Sequence, residues 1–354
     1  MEKNKFNENP FSLMFGKSPS SIIKREDEYQ KIIHTFNNFN PSTYAYIITG
    51  VRGSGKTVML REIAEEYSNL NDWIVLDINS QGDIINDLAE KFFNEGQKNK
   101  LFNDWSITIN AKIFTLQFGK KETTSNPEII FEKLLKKAND QGKRVLITID
   151  EITSSTKIKK FANFYQSMIG KDYKLFLLMT GLKNNINVLI NSKSSSFLSR
   201  TLKIELKPLN EIEIATEYEK LLNVSFSFAA SLAKLTSGYA FAYQVLGYLF
   251  YENKCKEIND DLLEKYDSYL VSNRYAVIFK DLTDQEKNFC MFINDSESKE
   301  VNEIMKISNL KESNFQRIRR DLIEKDIIKS VGYGKLDFVL PRFNKFLSMM
   351  KYFE

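Results

Sequence analysis

The chain of 354 residues is 42% hydrophobic and 27% charged, which is the balance of a soluble globular protein with two or three domains. Its formal net charge of +4 is small for this length, so any contact with nucleic acid must come from a local patch. No apolar run approaches the length of about 20 residues that spans a membrane. The polar start MEKNKFNENP is unlike a signal peptide, and we therefore expect a cytoplasmic protein that has no contact with membranes.

The cysteine and histidine content removes several kinds of chemistry. Cys255 and Cys290 are too few for a disulfide framework or a zinc cluster, so we expect both to be reduced core residues. The single histidine, His34, falls in a predicted helix over residues 26–36, where we expect a structural role. HExxH and multi-histidine metal sites then lack ligands, and a serine triad lacks its base. Phosphate chemistry is the class that remains.

The chain opens with an extended segment, a helix and a strand. Residues 9–19 (NPFSLMFGKSP) predict an extended lead-in that contains proline and aromatic residues. A helix opens near Glu26 and ends before Pro41, because the residue before a proline disfavours the helical conformation. Residues 43–49 (TYAYIIT) then predict a buried strand.

Residues 50–57 (GVRGSGKT) match the phosphate-loop pattern G-x-x-x-x-G-K-[ST] in full and lead into a helix predicted over residues 57–67. Glycines let the backbone curl so that N–H groups point at a polyphosphate, and the helix N-terminus adds its positive dipole end. Lys56 would reach the β- and γ-phosphates, and the Thr57 hydroxyl would ligate Mg²⁺. A Gly/Ser-rich turn that precedes a lysine is the structural alternative. The candidate nucleotide-binding residues of this stretch are Gly50, Val51, Arg52, Gly53, Ser54, Gly55, Lys56, Thr57 and Val58.

A second motif follows further along the chain. The intervening pattern predicts a strand at residues 72–79, a helix at 83–94, a hairpin or ribbon at 107–118 and a helix at 128–138. Residues 144–151 (RVLITIDE) are a continuous apolar strand that ends in two acids. This is the Walker B form, in which Asp150 binds Mg²⁺ and Glu151 lies beside the attacking water. The alternative for an acid pair after a strand is a helix N-cap followed by a first-turn glutamate.

Two more apolar strands, at residues 173–180 and 202–209, complete a set of five. Apolar strands that alternate with helices predict an α/β fold with a parallel sheet covered on both faces. A ligand of such a sheet lies at the carboxyl ends of the strands, where we expect Gly50, Asp150 and Thr180.

The rest of the chain predicts helices and one hairpin. Four helices that suit a small lid are predicted at residues 211–222, 226–236, 240–251 and 260–273. A winged-helix pattern follows, with helices at 284–293, 301–307 and 312–325 and hairpin strands at 327–331 and 336–340. The predicted domains are a nucleotide-binding core (1–209), a helical lid (210–280) and a winged-helix domain (281–354).

In these motifs the chain resembles the AAA+ P-loop ATPases, in particular prokaryotic ATP-binding proteins similar to archaeal origin-recognition initiators and STAND-type ATPases. The resemblance is carried by GVRGSGKT, by VLITIDE, by the strand ending in Thr180, by the lid and by the winged helix. It extends to NPFSLMFG, FLSRTLKIELKPL and YGKLDFVLPRFNKFL. The resemblance implies an ATP-binding and ATP-hydrolysing protein with ATP and Mg²⁺ as its ligands.

The same resemblance implies roles for residues outside the two Walker motifs. Ile23 and Arg25 lie in the segment that packs on adenine, although the family's Gly-Arg-Glu is Lys-Arg-Glu here. Thr180 matches the sensor-1 position, which orients the attacking water or touches the γ-phosphate. Arg200 matches the arginine finger that acts across a subunit boundary, with a surface arginine that caps a helix as the alternative. The sensor-2 arginine is absent from residues 237–244, which implies a lid with a weak response to the γ-phosphate.

The predicted recognition helix offers candidate DNA contacts. Phe315, Ile318 and Leu322 share one apolar face, and the helical period turns polar side chains to the other. The candidates for contact with double-stranded DNA are Gln316, Arg317 and Arg320 on the helix and Lys335 on the wing. Acids and bases balance over residues 281–354, and winged helices also dock proteins. Two functions therefore stay open: an ATPase that acts on DNA, and a slow nucleotide-gated switch that docks a protein partner or a second copy.

Overall fold

The computed structural model describes residues 9–14, 19–102, 105–110, 113–118, 121–191 and 196–351. The chain divides into two compact units. We call them the helical unit (Met1–Arg25, Gly50–Gly55 and Leu206–Glu354) and the sheet unit (Glu26–Thr49 and Lys56–Glu205). Residues 15–18 of the predicted lead-in lie outside the described residues.

The sheet unit alternates helices and strands, as the sequence predicts. In chain order it contains α1 (Glu26–Asn37), β1 (Ala45–Thr49), α2 (Lys56–Ser68), β2 (Trp73–Asn79), α3 (Ile84–Lys98), β3 (Trp105–Asn110), β4 (Ile113–Phe118), β5 (Lys121–Ser125), α4 (Pro127–Asp140), β6 (Arg144–Asp150), α5 (Thr156–Ile169), β7 (Leu175–Gly181), α6 (Lys183–Ile190), α7 (Ser196–Arg200) and β8 (Leu202–Glu205).

Five of these strands form one parallel sheet in the order β2, β6, β7, β1, β8. Every residue of β1 and β7 is buried, because helices cover both faces and the strands therefore need continuous apolar runs. The register pairs Ile48 with Thr180 and Asn79 with Asp150. The carboxyl ends of β1, β6 and β7 therefore meet at one edge of the sheet, and the predicted α/β class is confirmed.

The sheet differs from the prediction at two places. The fifth strand, predicted as buried over residues 202–209, ends at Glu205, and of its four residues Ile204 alone is buried. An edge strand needs only one covered face, which explains why Lys203 and Glu205 point outward. The predicted hairpin at 107–118 gains a third strand, β5, and forms a separate antiparallel sheet.

The helical unit carries the remaining elements. They are α8 (Glu211–Leu222), α9 (Phe226–Thr236), α10 (Ala240–Glu252), α11 (Asp260–Leu270), a π-helical turn (Val271–Tyr275), α12 (Ala276–Lys280), α13 (Asp284–Asp295), α14 (Val301–Ser308), α15 (Glu312–Glu324), β9 (Ile328–Val331), β10 (Lys335–Phe338) and α16 (Phe343–Met350). Strands β9 and β10 pair antiparallel, so three helices and a hairpin follow one another as predicted. Phe315, Ile318 and Leu322 form the buried face of α15, also as predicted.

The amino-terminal lead-in belongs to the helical unit and packs on its α10. Phe11 is 2% exposed and lies among Tyr218, Tyr243 and Gly247, where a Cβ on the glycine would overlap the Phe11 ring. The Gln244 side chain accepts a hydrogen bond from the Ser12 amide and donates one to the Ser21 carbonyl, just after the lead-in. The lead-in is thus fixed by aromatic packing and by one bridging amide.

The two cysteines are at least half-buried, and the histidine is exposed. Cys290 is buried and Cys255 is half-buried, and both are free thiols. His34 lies on the exposed face of α1. Among the described helices, none combines the length and the apolar character that crossing a bilayer requires.

Candidate functional site

The sheet unit brings two predicted residues, Thr57 and Thr180, to the carboxylate of a third, Asp150. The Thr57 hydroxyl donates a hydrogen bond to Asp150 Oδ2 at 2.8 Å, and the Thr180 hydroxyl donates one to Asp150 Oδ1. Thr180 is fully buried at the end of β7, whereas Asp150 is half-buried at the end of β6. The adjacent strand ends and the start of α2 thus place a hydroxyl on each oxygen of Asp150. Hydroxyl and carboxylate oxygens are ligands that suit Mg²⁺.

Glu151 is held by its backbone while its side chain is exposed. Its amide donates to Thr180 Oγ1 at 3.0 Å and to Asp150 Oδ1 at 3.1 Å. Its φ of +52° lies in the left-handed region, which is costly for a residue with a Cβ and is concentrated at functional sites. Strand β6 ends at Asp150, and the Glu151 side chain that follows it is exposed.

The alternative role for the acid pair does not fit the local backbone. Helix α5 begins only at Thr156, and its N-cap is Ser155, whose hydroxyl accepts from the Ile158 amide at 3.2 Å. Asp150 and Glu151 therefore neither cap this helix nor form its first turn.

The phosphate loop is divided between the units in sequence. Residues Gly50–Gly55 group with the helical unit, and Lys56 and Thr57 open α2 in the sheet unit. Lys56 is only 8% exposed, and Val58 is half-buried beside it. The predicted roles of Lys56 and Val58 toward a nucleotide stay predictions.

Two features mark the glycine-rich part of the loop, and the second of them fits a phosphate group. Gly53 has φ +81°, and a Cβ added to it would lie 2.4 Å from the Tyr239 hydroxyl. Its backbone therefore approaches the lid more closely than any other residue type allows. The Ser54 hydroxyl is buried and has no hydrogen-bond partner among the residues that the structure describes. A buried hydroxyl without a partner is costly, and a phosphate oxygen would satisfy it.

Arg25 contacts the main chain of the loop. Its guanidinium donates to the Ser54 carbonyl at 3.0 Å and to the Lys207 carbonyl. Arg25 thus joins the loop backbone to the chain that follows β8. The expected packing of Ile23 and Arg25 on adenine stays a prediction. Ile23 and Val51 both pack against the core of the helical unit.

Residues of the segment predicted as a lid make contacts with the loop that no sequence motif indicates. The Tyr239 hydroxyl donates to the Arg52 carbonyl, and the Phe241 amide donates to the Gly53 carbonyl at 3.1 Å. Arg274 lies 4.4 Å from the centre of the Phe241 ring. These contacts reach main-chain carbonyls, which carry no side-chain signature, so no motif in the sequence could have identified them.

Comparison with known families decides the class of the chain. The family described as ATPase domain predominantly from Archaea matches residues 23–220, more than half of the chain. The chain belongs to this family. It is therefore an ATPase that binds ATP, and the predicted resemblance to archaeal-type AAA+ ATPases is confirmed. A second family, described as domain of unknown function (DUF8462), matches residues 272–347.

Solved structures share the fold of this ATPase. The Walker-type ATPase paby2304 of Pyrococcus abyssi is similar with TM-score 0.65 at 15% identity, over 92% of this chain and 96% of that chain. The ORC2 protein of Aeropyrum pernix, in its ADPNP-ADP complexes, is similar with a TM-score of 0.58 at 12% identity, over 96% of this chain and 98% of that chain. Cdc6p from Pyrobaculum aerophilum is similar with a TM-score of 0.50 at 16% identity, over 96% of each chain. No curated protein sequence matches the chain.

Arg200 lies away from the other predicted catalytic residues of the sheet unit. It ends the short helix α7 and lines a cavity of about 290 Å³ together with Thr43, Tyr44 and Phe197. Thr43 and Tyr44 precede β1, so this cavity lies at the amino end of the strand, whereas Asp150 and Thr180 end their strands. Within one copy of the ATPase, Arg200 is therefore not brought to the Walker B acids.

The candidate DNA contacts are exposed, but they differ in how far their side chains are engaged by neighbouring residues. Gln316, Arg317 and Arg320 lie on the outer face of α15, and Lys335 is exposed on β10. Arg317 donates to Gln285 at 2.6 Å and pairs with Asp321 at 3.3 Å. Arg320 is 67% exposed and lies 3.8 Å from the same aspartate, so it is the more accessible guanidinium.

Proposed function

We propose that this ATPase binds ATP with Mg²⁺ on residues 50–57 and hydrolyses it with Glu151 as the general base. The observation that supports this most is the pair of hydrogen bonds from Thr57 and Thr180 to the two oxygens of Asp150. Three residues from three separate motifs converge there, although each was identified independently from the sequence.

Each residue has a stated role in this proposal. Lys56 would pair with the β- and γ-phosphates. Thr57 and Asp150 would hold Mg²⁺, which supplies positive charge beside the phosphate oxygens when it is bound. Glu151 would accept a proton from water as the water oxygen attacks the γ-phosphorus and the bond to the bridging oxygen breaks. Thr180 would orient Glu151 through the amide that it binds.

The proposal is tested by titration of a fluorescent ATP analogue. Lys56→Ala removes the side-chain cation aimed at the phosphates, so binding should become undetectable or far weaker. Lys160→Ala, which removes an exposed lysine of α5, is the matched control and should bind as the wild type does. Wild-type affinity in Lys56→Ala would overturn the assignment of the loop.

We further propose that the chain has the three predicted domains, a nucleotide-binding core (1–209), a helical lid (210–280) and a winged-helix domain (281–354). In this proposal the winged-helix domain contacts double-stranded DNA. The exposed Arg317 and Arg320 support this role, together with Tyr333 at the fully exposed hairpin tip. Arg317→Ala with Arg320→Ala should weaken duplex binding and lower its salt slope by about two units, since log K falls by ~0.9 per neutralised phosphate. If the wild type binds no duplex and DNA leaves its turnover unchanged, the alternative is favoured, a slow nucleotide-gated switch that docks a protein partner.

Self-association is proposed through Arg200. A guanidinium that reaches the γ-phosphate of a neighbouring copy can raise the rate by ~10³–10⁵. Such a contact is head to tail and builds a ring or an open filament. Arg200→Ala should bind ATP normally, hydrolyse slowly, and regain activity when mixed with Lys56→Ala. A wild type that stays monomeric with ATP at every concentration, or a mixture without recovery, would make Arg200 an ordinary surface residue.

A further inference from the structure

The lid holds two consecutive peptide units of the phosphate loop by their carbonyls. Tyr239 donates to the Arg52 carbonyl through its hydroxyl, and Phe241 donates to the Gly53 carbonyl through its amide. The peptide bond between Arg52 and Gly53 is trans, so its N–H points opposite to its C=O. The Gly53 N–H therefore points away from the Tyr239 hydroxyl. It is free of that contact and can donate to a ligand on the opposite face of the loop.

Arg274 supports both of these lid residues. Its guanidinium lies 4.4 Å from the centre of the Phe241 ring and also hydrogen-bonds the Tyr239 hydroxyl. Burial raises the pKa of Tyr239, and Arg274 opposes this shift without cancelling it. The phenol thus keeps its proton at neutral pH and can donate to the Arg52 carbonyl while it accepts from Arg274.

Arg274 lies on an unusual backbone at a defined position in the chain. It belongs to the π-helical turn Val271–Tyr275. Such turns are rare in proteins, and those that occur are often found at functional sites. The same turn overlaps the start of residues 272–347, which match the second family. The first residues of this matched segment therefore contact Tyr239 and Phe241, the two residues that bind the loop carbonyls. A second and weaker link is the ion pair between Asp281 and Arg52 at 3.6 Å.

We propose that Arg274 is a positioning residue through which residues 272–347 set the affinity of the phosphate loop for nucleotide. It acts by fixing Tyr239 and Phe241, which in turn fix the Arg52 and Gly53 peptides. The proposal rests on the proposed nucleotide site at residues 50–57. A partner that binds the carboxyl-terminal segment and shifts the π-helical turn would alter nucleotide affinity by the same route.

The first test separates positioning from folding by steady-state kinetics. Arg274→Ala should raise KM for ATP about tenfold, and weaken ADP binding equally, while kcat stays unchanged, because a preorganised loop contributes to ground and transition states alike. A folding defect would lower kcat through a smaller active fraction and leave KM unaltered. Arg61→Ala, on the exposed face of α2, is the matched control and should keep both constants. Arg274→Lys keeps the charge without the planar guanidinium, and its KM should fall between those of the wild type and Arg274→Ala.

The second test uses Tyr239→Phe, which removes only the hydroxyl and keeps the buried ring. If Arg274 acts through this hydroxyl, Tyr239→Phe raises KM as well, and the double variant raises it by less than the product of the two single effects. Two outcomes would overturn the proposal: wild-type KM and ADP affinity in Arg274→Ala, or fully multiplicative effects in the double variant. A wild type that binds no nucleotide would instead defeat the proposed site itself, so the two failures are distinguishable.

Discussion

The two units hold their predicted phosphate-binding residues by different kinds of contact. In the sheet unit, side chains bind side chains, since Thr57 and Thr180 each donate to the carboxylate of Asp150. In the helical unit, lid groups bind the main-chain carbonyls of Arg52 and Gly53. The first arrangement depends on the chemistry of particular side chains, whereas the second depends on the shape and close approach of backbone.

This difference indicates how each unit can be damaged. Removing a charge or a hydroxyl should impair the sheet unit while the backbone remains in place. Adding a methyl group should impair the helical unit, because a Cβ at Gly53 would overlap the Tyr239 hydroxyl. Substitutions at Glu151 and Thr180 in the sheet unit should therefore lower kcat, whereas substitutions at the contacts that hold Arg52 and Gly53 in the helical unit should raise KM.

Among the substitutions that compare the contacts of Asp150 with those of the loop carbonyls, the largest effect is expected from Glu151→Gln in the sheet unit. The substitution removes the proton acceptor and keeps the size of the side chain, so turnover should fall by ~10²–10⁴ while nucleotide affinity is retained. Single-turnover hydrolysis and an equilibrium titration measure the two quantities. The matched control is Glu65→Gln on the exposed face of α2, which should hydrolyse normally. If the Glu151→Gln variant turns over at the wild-type rate, Glu151 is not the general base.

The contrast between the units also explains what the sequence could predict. Asp150, Thr57 and Thr180 were predicted because strand ends and the loop motif are defined by residue type and spacing. Tyr239, Phe241 and Arg274 were missed, because a contact with a carbonyl can be made by many residue types at many separations. The exposure of β8 was missed for a related reason, since an apolar stretch does not reveal whether its strand lies at the edge of the sheet.

Local signals did predict much of the helical unit. Helices α8 and α9 begin and end where the sequence predicts, and their N-caps Asn210 and Ser225 accept hydrogen bonds from amides of the first turn. Asn223 and Ser237 end the same helices in the left-handed conformation. The helix predicted over residues 260–273 covers only the first three residues of the π-helical turn Val271–Tyr275, and the apolar period does not reveal its changed hydrogen bonding.

A smaller effect on turnover is expected from Thr180→Val. The buried hydroxyl that joins Asp150 to the Glu151 amide is lost, and turnover should fall about ten- to hundredfold as the base loses its fixed position. Two polar groups also lose a partner, which should lower the free energy of unfolding by about 1–3 kcal/mol. Thr180→Ser keeps the hydroxyl and should retain most activity. If the valine variant matches the serine variant in rate and stability, Asp150 and Glu151 do not depend on this contact.

The helical unit is tested by Gly53→Ala, which should weaken ATP binding about tenfold with kcat largely preserved. The added Cβ meets Tyr239, and φ +81° costs an L-residue about 1–2 kcal/mol. Gly142→Ala is the matched control, because Gly142 has φ +75° and nothing lies within 4 Å of the added Cβ. It should lower the melting temperature slightly and leave ATP binding unchanged. If Gly53→Ala binds ATP as tightly as Gly142→Ala does, the close approach of Gly53 to Tyr239 does not govern nucleotide binding.

The smallest effect is expected from the exposed ion pair between Arg52 and Asp281. Their atoms lie 3.6 Å apart, and the two side chains are 37% and 57% exposed, so the pair should contribute about 0.2–1 kcal/mol. Asp281→Asn should therefore weaken ATP binding by less than about fivefold, and the difference should disappear at high salt as the charges are screened. Asp284→Asn, which breaks the 3.3 Å pair with Lys287 in the same segment, is the control and should bind ATP normally at any salt concentration. A tenfold loss in Asp281→Asn that persists at high salt would contradict the distinction between the units, because a side-chain charge would then hold the loop as firmly as the buried lid contacts do.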